Sequence, residues 1–223
     1  MNRRPLLIGI LAAAVIALGV IGYLYLAAPT AESALPASGE RANVTLSKDD
    51  RTLGDPKASI LLVEYATLTC PHCGHFNQEI FPKLKAKYID TGKVYYVFRV
   101  FPLSSVDVAV ESLARCVPAE SYFQFVDLLF NNQMTWDPEY QPLNVHEGIL
   151  AVARIAGMGS EQADKCMQDK AQLERASRVG QEGQSRYGIT GTPTFIVNGT
   201  VHGGQYDWEG LQKELDAMLK KKS

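Results

Sequence analysis

The chain reads as an α/β protein whose small sheet is split by a long run of helices. Three observations predict this. Two short apolar stretches, ASILLVEYAT (58–67) and KVYYVFRVF (93–101), enclose a segment of helical period. Residues 104 to 187 then read almost wholly as helix. Strand character returns only at TFIVNG (194–199) and VHGG (201–204).

Each element has a local reason. Asp55-Pro56 marks a turn before the first strand. From Pro71 to about Tyr88, the apolar residues Phe76, Ile80, Leu84 and Tyr88 recur every four positions and form one helix face. Pro82 lies inside that run, and the continued spacing predicts a kink there and not an end. The order strand, helix, strand suits a right-handed crossover between parallel neighbours.

In the helical stretch, Val106, Ala109, Val110 and Leu113 share one face, and Phe123, Val126, Leu129 and Phe130 share another. VHEGILAVARIAG (145–157) forms a third, closed by Gly157 and Gly159. Ser160 is the expected N-cap of a short helix running through Cys166. A further helix covers about 170 to 187 and stops at Gly188. Asn198-Gly199 signals a two-residue hairpin. DWEGLQKELDAMLKK closes the chain as an amphipathic helix, with lysines near its C-terminal end where they suit the dipole.

The 223 residues contain 46% hydrophobic residues, enough for a sizeable core. A net charge of −2 without a long basic run argues against a nucleic-acid partner. At the N-terminus, Arg3 and Arg4 precede an uncharged, mostly apolar segment from Pro5 to Ala28. As a helix that segment spans about 36 Å, more than the roughly 30 Å of a bilayer core. It reads as an uncleaved membrane anchor, with a cleaved signal as the alternative, since LAAPTAESA offers small residues. Either way the positive charges keep the N-terminus inside, and the rest of the chain lies outside the cytoplasm. Residues 29–43 are small, polar and Pro-containing and read as a flexible tether. The folded unit is expected over 44–222, with the helical insertion at about 104–187.

The chemistry centres on YATLTCPHCGHF (65–76). A cysteine between strand and helix sits at the positive end of the helix dipole, so Cys70 should favour its thiolate. Cys73 lies one turn along, within bridging reach and more shielded. His72, inside the loop, can donate to the sulfur or add positive charge. Stabilising the reduced form makes a disulfide a stronger oxidant. A lone C-x-x-C also serves as half of a zinc site. That reading wants a second pair, and Cys116 and Cys166 have no Cys or His within four residues. A structural staple closing so short a loop constrains little. Redox activity carries most weight, with no metal and no cofactor. Cys116 and Cys166 fall on predicted helices with apolar neighbours. They are either buried free thiols or, in an oxidising compartment, a second disulfide. His146 and His202 read as ordinary surface or packing residues.

VEYATLTCPHCGHF together with the distant GTPTFIVNG resembles the thioredoxin superfamily, and within it the DsbA-like disulfide oxidoreductases. The long helical insertion between the motifs matches that group. The resemblance covers about residues 44 to 222. It implies a thioredoxin-like fold, Cys70 as nucleophile, Cys73 as resolving cysteine, and Pro193 in cis linkage to Thr192 beside them. It matches Glu64, six residues before Cys70, to a buried acid that assists proton movement. A basic partner for that acid is implied too, and Arg99 is the candidate. Some DsbA-like proteins carry a second, non-catalytic disulfide in this domain. The resemblance further implies a periplasmic or other extracytoplasmic monomer that oxidises reduced exported proteins and is reoxidised by a DsbB-like quinone-linked membrane protein. The alternatives are an isomerase or reductase on the same fold, or a chaperone-like binding module.

Overall fold

The structure, a computed structural model, describes residues 44–204 and 206–221. The apolar segment 5–28 and the tether 29–43 lie outside the described residues. Among the described residues, no helix is long and apolar enough to cross a membrane.

A five-stranded sheet carries the fold, in the order β1-β3-β2-β4-β5. The strands are β1 (Arg51–Leu53), β2 (Ile60–Ala66), β3 (Val94–Val100), β4 (Thr194–Val197) and β5 (Thr200–Gly203). β2 and β3 are parallel, and β4 pairs antiparallel with both β2 and β5. β1 was not expected from sequence. It is three residues long, polar, and pairs antiparallel with β3 at the sheet edge, so it carries no apolar alternation to reveal it. At the hairpin, Asn198 and Gly199 both have positive φ (46° and 85°), as a type I′ turn requires.

The crossover helix runs from Pro71 to Ile89 in four parts. They are α1 (Pro71–His75), a π-helical turn (Phe76–Ile80), α2 (Phe81–Leu84) and a second π-helical turn (Lys85–Ile89). Pro82 lies in the first turn of α2 and has no N–H to give the preceding carbonyls. The wider turn before it takes up the mismatch, so the helix bends and continues, and Phe76, Ile80, Leu84 and Tyr88 all stay buried.

The insertion holds α3 (Ser105–Ala114), α4 (Tyr122–Asn131), α5 (Gln133–Trp136), α6 (Val145–Ile155), α7 (Ser160–Met167) and α8 (Lys170–Tyr187), and α9 (Trp208–Lys220) follows the hairpin. Gly188 ends α8 in the left-handed region at φ 66°. The N-cap of α7 is Gly159, not Ser160, which is the first helical residue. The Ser160 hydroxyl instead accepts from Arg154 Nη1 at 3.2 Å.

Strand alternation divides the core in two. Leu62, Ala66, Tyr96, Phe98, Phe195 and Val197 face the crossover helix and the insertion. Val63, Tyr65, Val97 and Ile196 face a smaller cluster with Phe101, Tyr187 and Ile189. α8 comes so close to the sheet that a Cβ on Gly183 would stand 2.8 Å from the Tyr65 ring, so only glycine fits.

The insertion has its own buried polar hub. Glu111, fully buried, accepts from Arg115 Nε at 2.8 Å, Tyr122 Oη at 2.8 Å and Arg175 Nη1 at 3.2 Å. Beside it Cys116 and Cys166 form a disulfide with their Cα atoms 6.0 Å apart. Cys116 lies in the turn after α3 and not on a helix. The bridge therefore ties the end of α3 to α7, and Ser112 Oγ donates to the Cys166 carbonyl beside it.

This disulfide closes a separation of 50 residues, worth about 4 kcal/mol in the chain-entropy relation. Replacing Cys116 and Cys166 together by alanine should lower the thermal unfolding midpoint by roughly 10 °C, read by circular dichroism. A midpoint within a degree of the parent would mean that packing alone holds α3 to α7.

Candidate active site

β2 ends at Ala66, and the chain turns through Thr67, Leu68 and Thr69 before α1 begins at Pro71. Cys70 is the N-cap residue of α1, with extended backbone (φ −82°, ψ 119°), and Pro71 follows at the position where a missing N–H costs nothing. Cys70 keeps 9% of its surface exposed and Cys73 none.

Two side chains from the insertion hold this turn. Asp107, fully buried on α3, accepts from Thr69 N at 3.2 Å and Thr69 Oγ1 at 2.7 Å through Oδ1. Its Oδ2 accepts from Leu103 N, Ser104 N and Ser104 Oγ, while Ser104 Oγ accepts from Asp107 N and so closes a capping box for α3. Gln133 on α5 donates to the Leu68 carbonyl at 2.7 Å and the Cys70 carbonyl at 3.2 Å. A Cβ on Gly74 would collide with the Gln133 amide, so a glycine after Cys73 admits the clamp. Neither residue stood out in the sequence. Asp107 follows S-x-x-D at a helix start, a capping signature that could have been read. Gln133, in NNQMTW, carries no local signal.

The two sulfurs are unlike. The Cys70 thiol is lowered to about 5, first by a hydrogen bond from the Cys73 thiol, against the opposing effect of burial. The Thr192 side chain and the backbone N–H groups of Cys73 and His72 add to it. The Cys73 thiol is pushed well up, chiefly by burial, and further by its bond to Cys70 and by the charges of Cys70 and Glu64. Protonated, Cys70 Sγ donates to the Thr192 carbonyl at 3.5 Å. The Thr192 hydroxyl is buried and has no other partner among the described residues, which leaves it available to the thiolate. Pro193 follows in cis linkage, and the Cys70–Thr192 contact sets its loop against the start of α1. The His72 side chain is exposed, and its backbone N–H is among the groups that lower Cys70.

Glu64 lies on β2 beneath this turn, 2% exposed, and accepts from the Tyr96 hydroxyl at 2.5 Å. Burial raises its carboxyl to about 8, against the Tyr96 hydrogen bond and with help from the Cys70 charge. Arg99 is not its partner. Pairing of β2 with β3 sets Glu64 opposite Phe98 and Tyr65 opposite Arg99, and neighbours along a strand face opposite sides. Arg99 instead meets both Asp50 oxygens at 2.9 and 2.8 Å, the Tyr65 hydroxyl at 2.9 Å and the Thr45 carbonyl at 2.8 Å.

The thioredoxin family profile matches residues 46–217. The chain is 32% identical over 202 residues to a protein-disulfide oxidoreductase of Rickettsia felis, covering 85% of this chain and 70% of that protein. It superposes on the crystal structure of Wolbachia pipientis alpha-DsbA1 with a TM-score of 0.74 at 31% identity, over 82% of this chain and 97% of that one. The chain belongs to the DsbA-like protein-disulfide oxidoreductases of the thioredoxin family. The crystal structure of a protein-disulfide isomerase from Novosphingobium aromaticivorans is also similar, with a TM-score of 0.68 and 26% identity over 78% of this chain and 99% of that one.

For this DsbA-like oxidoreductase the buried acid has a thermodynamic signature. With its carboxyl at about 8 in the folded protein and in the ordinary range when unfolded, Glu64 keeps a proton at neutral pH that the unfolded chain releases. Its contribution is fully present below about pH 4.3 and is lost as pH rises through 8. By linkage the cost at pH 7 is on the order of 3 kcal/mol. Glu64→Gln should therefore unfold at a higher temperature than the parent at pH 7 to 8, with little difference at pH 4. Equal midpoints across that range would show that Glu64 is not held protonated.

Proposed function

We propose that this oxidoreductase works as an oxidase, donating a Cys70–Cys73 disulfide to reduced exported proteins. The observation that carries this reading is the asymmetry of the two sulfurs. Cys70 is the more exposed and is a good leaving thiolate, whereas Cys73 is sealed and holds its proton. A substrate thiolate attacks Cys70 Sγ, the Cys70–Cys73 bond breaks, and Cys73 leaves with the electron pair. Cys73 then takes a proton, for which Glu64, neutral below about 8, is the proposed donor. A second substrate thiolate attacks the substrate sulfur of the mixed disulfide, and Cys70 leaves as a thiolate. The substrate dithiol is oxidised by two electrons and the enzyme pair is reduced by two.

Holding Cys70 at about 5 against an ordinary 9 favours the reduced form at pH 7 by about 2.7 kcal/mol, roughly 60 mV in a two-electron couple. This supports the oxidising direction. Reoxidation would fall to a DsbB-like quinone-linked membrane protein. The Cys116–Cys166 bond and the apolar N-terminal sequence favour an extracytoplasmic location, with residues 5–28 as the tether and a monomer as the working unit. The His72 side chain is proposed to favour the thiolate further, by donating to it or adding positive charge, beside the backbone N–H that already serves it. An isomerase remains the second reading, on the similarity to the Novosphingobium structure.

Equilibration with glutathione decides the direction. A potential well above that of structural disulfides is expected, with rapid oxidation of a reduced, unfolded substrate. Cys70→Ser should abolish turnover, and Cys73→Ser should accumulate a mixed disulfide on Cys70. A potential near that of thioredoxin would make the protein a reductant. Faster rescue of a scrambled substrate than oxidation of a reduced one would favour the isomerase.

A further inference from the structure

Gln133 fastens the active turn, and the way it is mounted points to a part in the reaction. Its amide nitrogen carries two donors and reaches the Leu68 carbonyl at 2.7 Å and the Cys70 carbonyl at 3.2 Å. The Cys70 carbonyl also accepts from Gly74 N at 3.0 Å, the first hydrogen bond of α1. Two donors from separate segments therefore hold the Cys70 backbone in its extended, helix-entering conformation. That conformation decides whether the N–H groups of His72 and Cys73 face Cys70 Sγ. The amide itself has little freedom. Gln133 is 5% exposed, and Trp136, fully buried on the same helical turn, donates to the Leu129 carbonyl at 3.0 Å. Gln78, on the crossover helix, donates at 3.0 Å to the Phe130 carbonyl just before α5. α6 lies so close that a Cβ on Gly148 would collide with the Thr135 carbonyl. On the active-site side, a Cβ on Gly74 would fall on Gln133 Oε1. Gly74 lies in α1 without a positive φ, so alanine would be the better helix former there. Space for the amide is what calls for glycine.

We infer that Gln133 is a positioning residue for exchange at Cys70 and that Gly74 acts through it: the two form a latch between the insertion and the reactive turn, and the latched turn makes the Cys70–Cys73 disulfide a stronger oxidant than the same turn released. Gln133 touches neither sulfur in this role. It holds the backbone whose N–H groups serve the Cys70 thiolate, and a turn free to slip would lose those donors. A methyl group at position 74 pushes on the far end of a flexible side chain. It would swing the amide off both carbonyls while the fold stays intact, so a change at Gly74 should reproduce a change at Gln133. The inference rests on Cys70 being the exchanging sulfur, but not on the direction of exchange.

The test uses the full chain in four variants: Gln133→Ala, Gln133→Met, which keeps the length and removes the donors, Gly74→Ala, and the double variant Gly74→Ala with Gln133→Ala. Thiolate absorbance of the reduced protein against pH, and the glutathione equilibrium at pH 7.5, are compared with the parent. Each single variant should move the Cys70 midpoint to higher pH by about half a unit, and lower the equilibrium constant for reduction roughly threefold. The double variant should shift no further than either single one, because both changes release the same latch. A lower unfolding temperature with the midpoint and the equilibrium unchanged would overturn the proposal and leave Gln133 as a packing residue. Parent-like behaviour of Gly74→Ala, or shifts that add in the double variant, would overturn the coupling of the two positions. A parent protein that proves reducing would overturn the oxidase reading, while the differences between parent and variants would still stand.

Discussion

A thiolate at Cys70 is the condition that the surrounding structure serves. An anion in a nearly buried position is expensive unless donors converge on it. Here the donors are the Cys73 thiol, the Thr192 hydroxyl and two backbone N–H groups at the start of α1. Each lies on a different piece of chain or depends on a particular backbone angle, so a small slip of the turn would lose several at once. That explains why the turn is over-determined from outside. Asp107 fastens Thr69, Gln133 fastens Leu68 and Cys70, and Gly74 leaves the room that Gln133 requires.

The donor set also explains the division of labour between the cysteines. A thiol that donates to a thiolate must keep its own proton, and complete burial ensures that Cys73 does. The same burial would make Cys73 a poor leaving group unless a proton came with it. Glu64, the donor proposed for that proton, is also buried and is neutral below about pH 8. The Tyr96 hydroxyl is the hydrogen bond Glu64 receives, and it works against burial. An arginine in its place would ionise the acid, so keeping Arg99 on the opposite face, paired with Asp50, is part of the arrangement.

Much of this could be read from the chain. The parallel crossover followed from two apolar runs around a helical period. The hairpin followed from Asn198-Gly199 and the end of α8 from Gly188. The reactive pair followed from a cysteine placed between strand and helix. What stayed hidden has one physical cause: contacts between distant segments leave no mark on local pattern. β1 is too short and polar to alternate. Gln133 is an unremarkable polar residue until the insertion folds back onto the turn. Arg99 misled because proximity along neighbouring strands says nothing of face until the register is known, and register sets Arg99 beside Tyr65.

The insertion therefore does more than cover the sheet. The α/β unit supplies the helix start, the Thr192–Pro193 loop and Glu64, and a smaller protein could supply those. Asp107 and Gln133 both come from the insertion, so the geometry of the reacting sulfur depends on how firmly that insertion is seated. Its seating is strong and mostly buried. Glu111 gathers Arg115, Arg175 and Tyr122 into one hydrogen-bonded hub, and the Cys116–Cys166 bond closes α3 against α7 nearby. Buried ion pairs of this kind add little net stability compared with apolar packing, but they tolerate few alternative arrangements. α3 carries both ends of the argument: Asp107 near its start holds the active turn, and Glu111, one turn later on the same helix, holds the insertion. A helix fixed at Glu111 is a helix whose Asp107 cannot drift, and through Thr69 neither can Cys70.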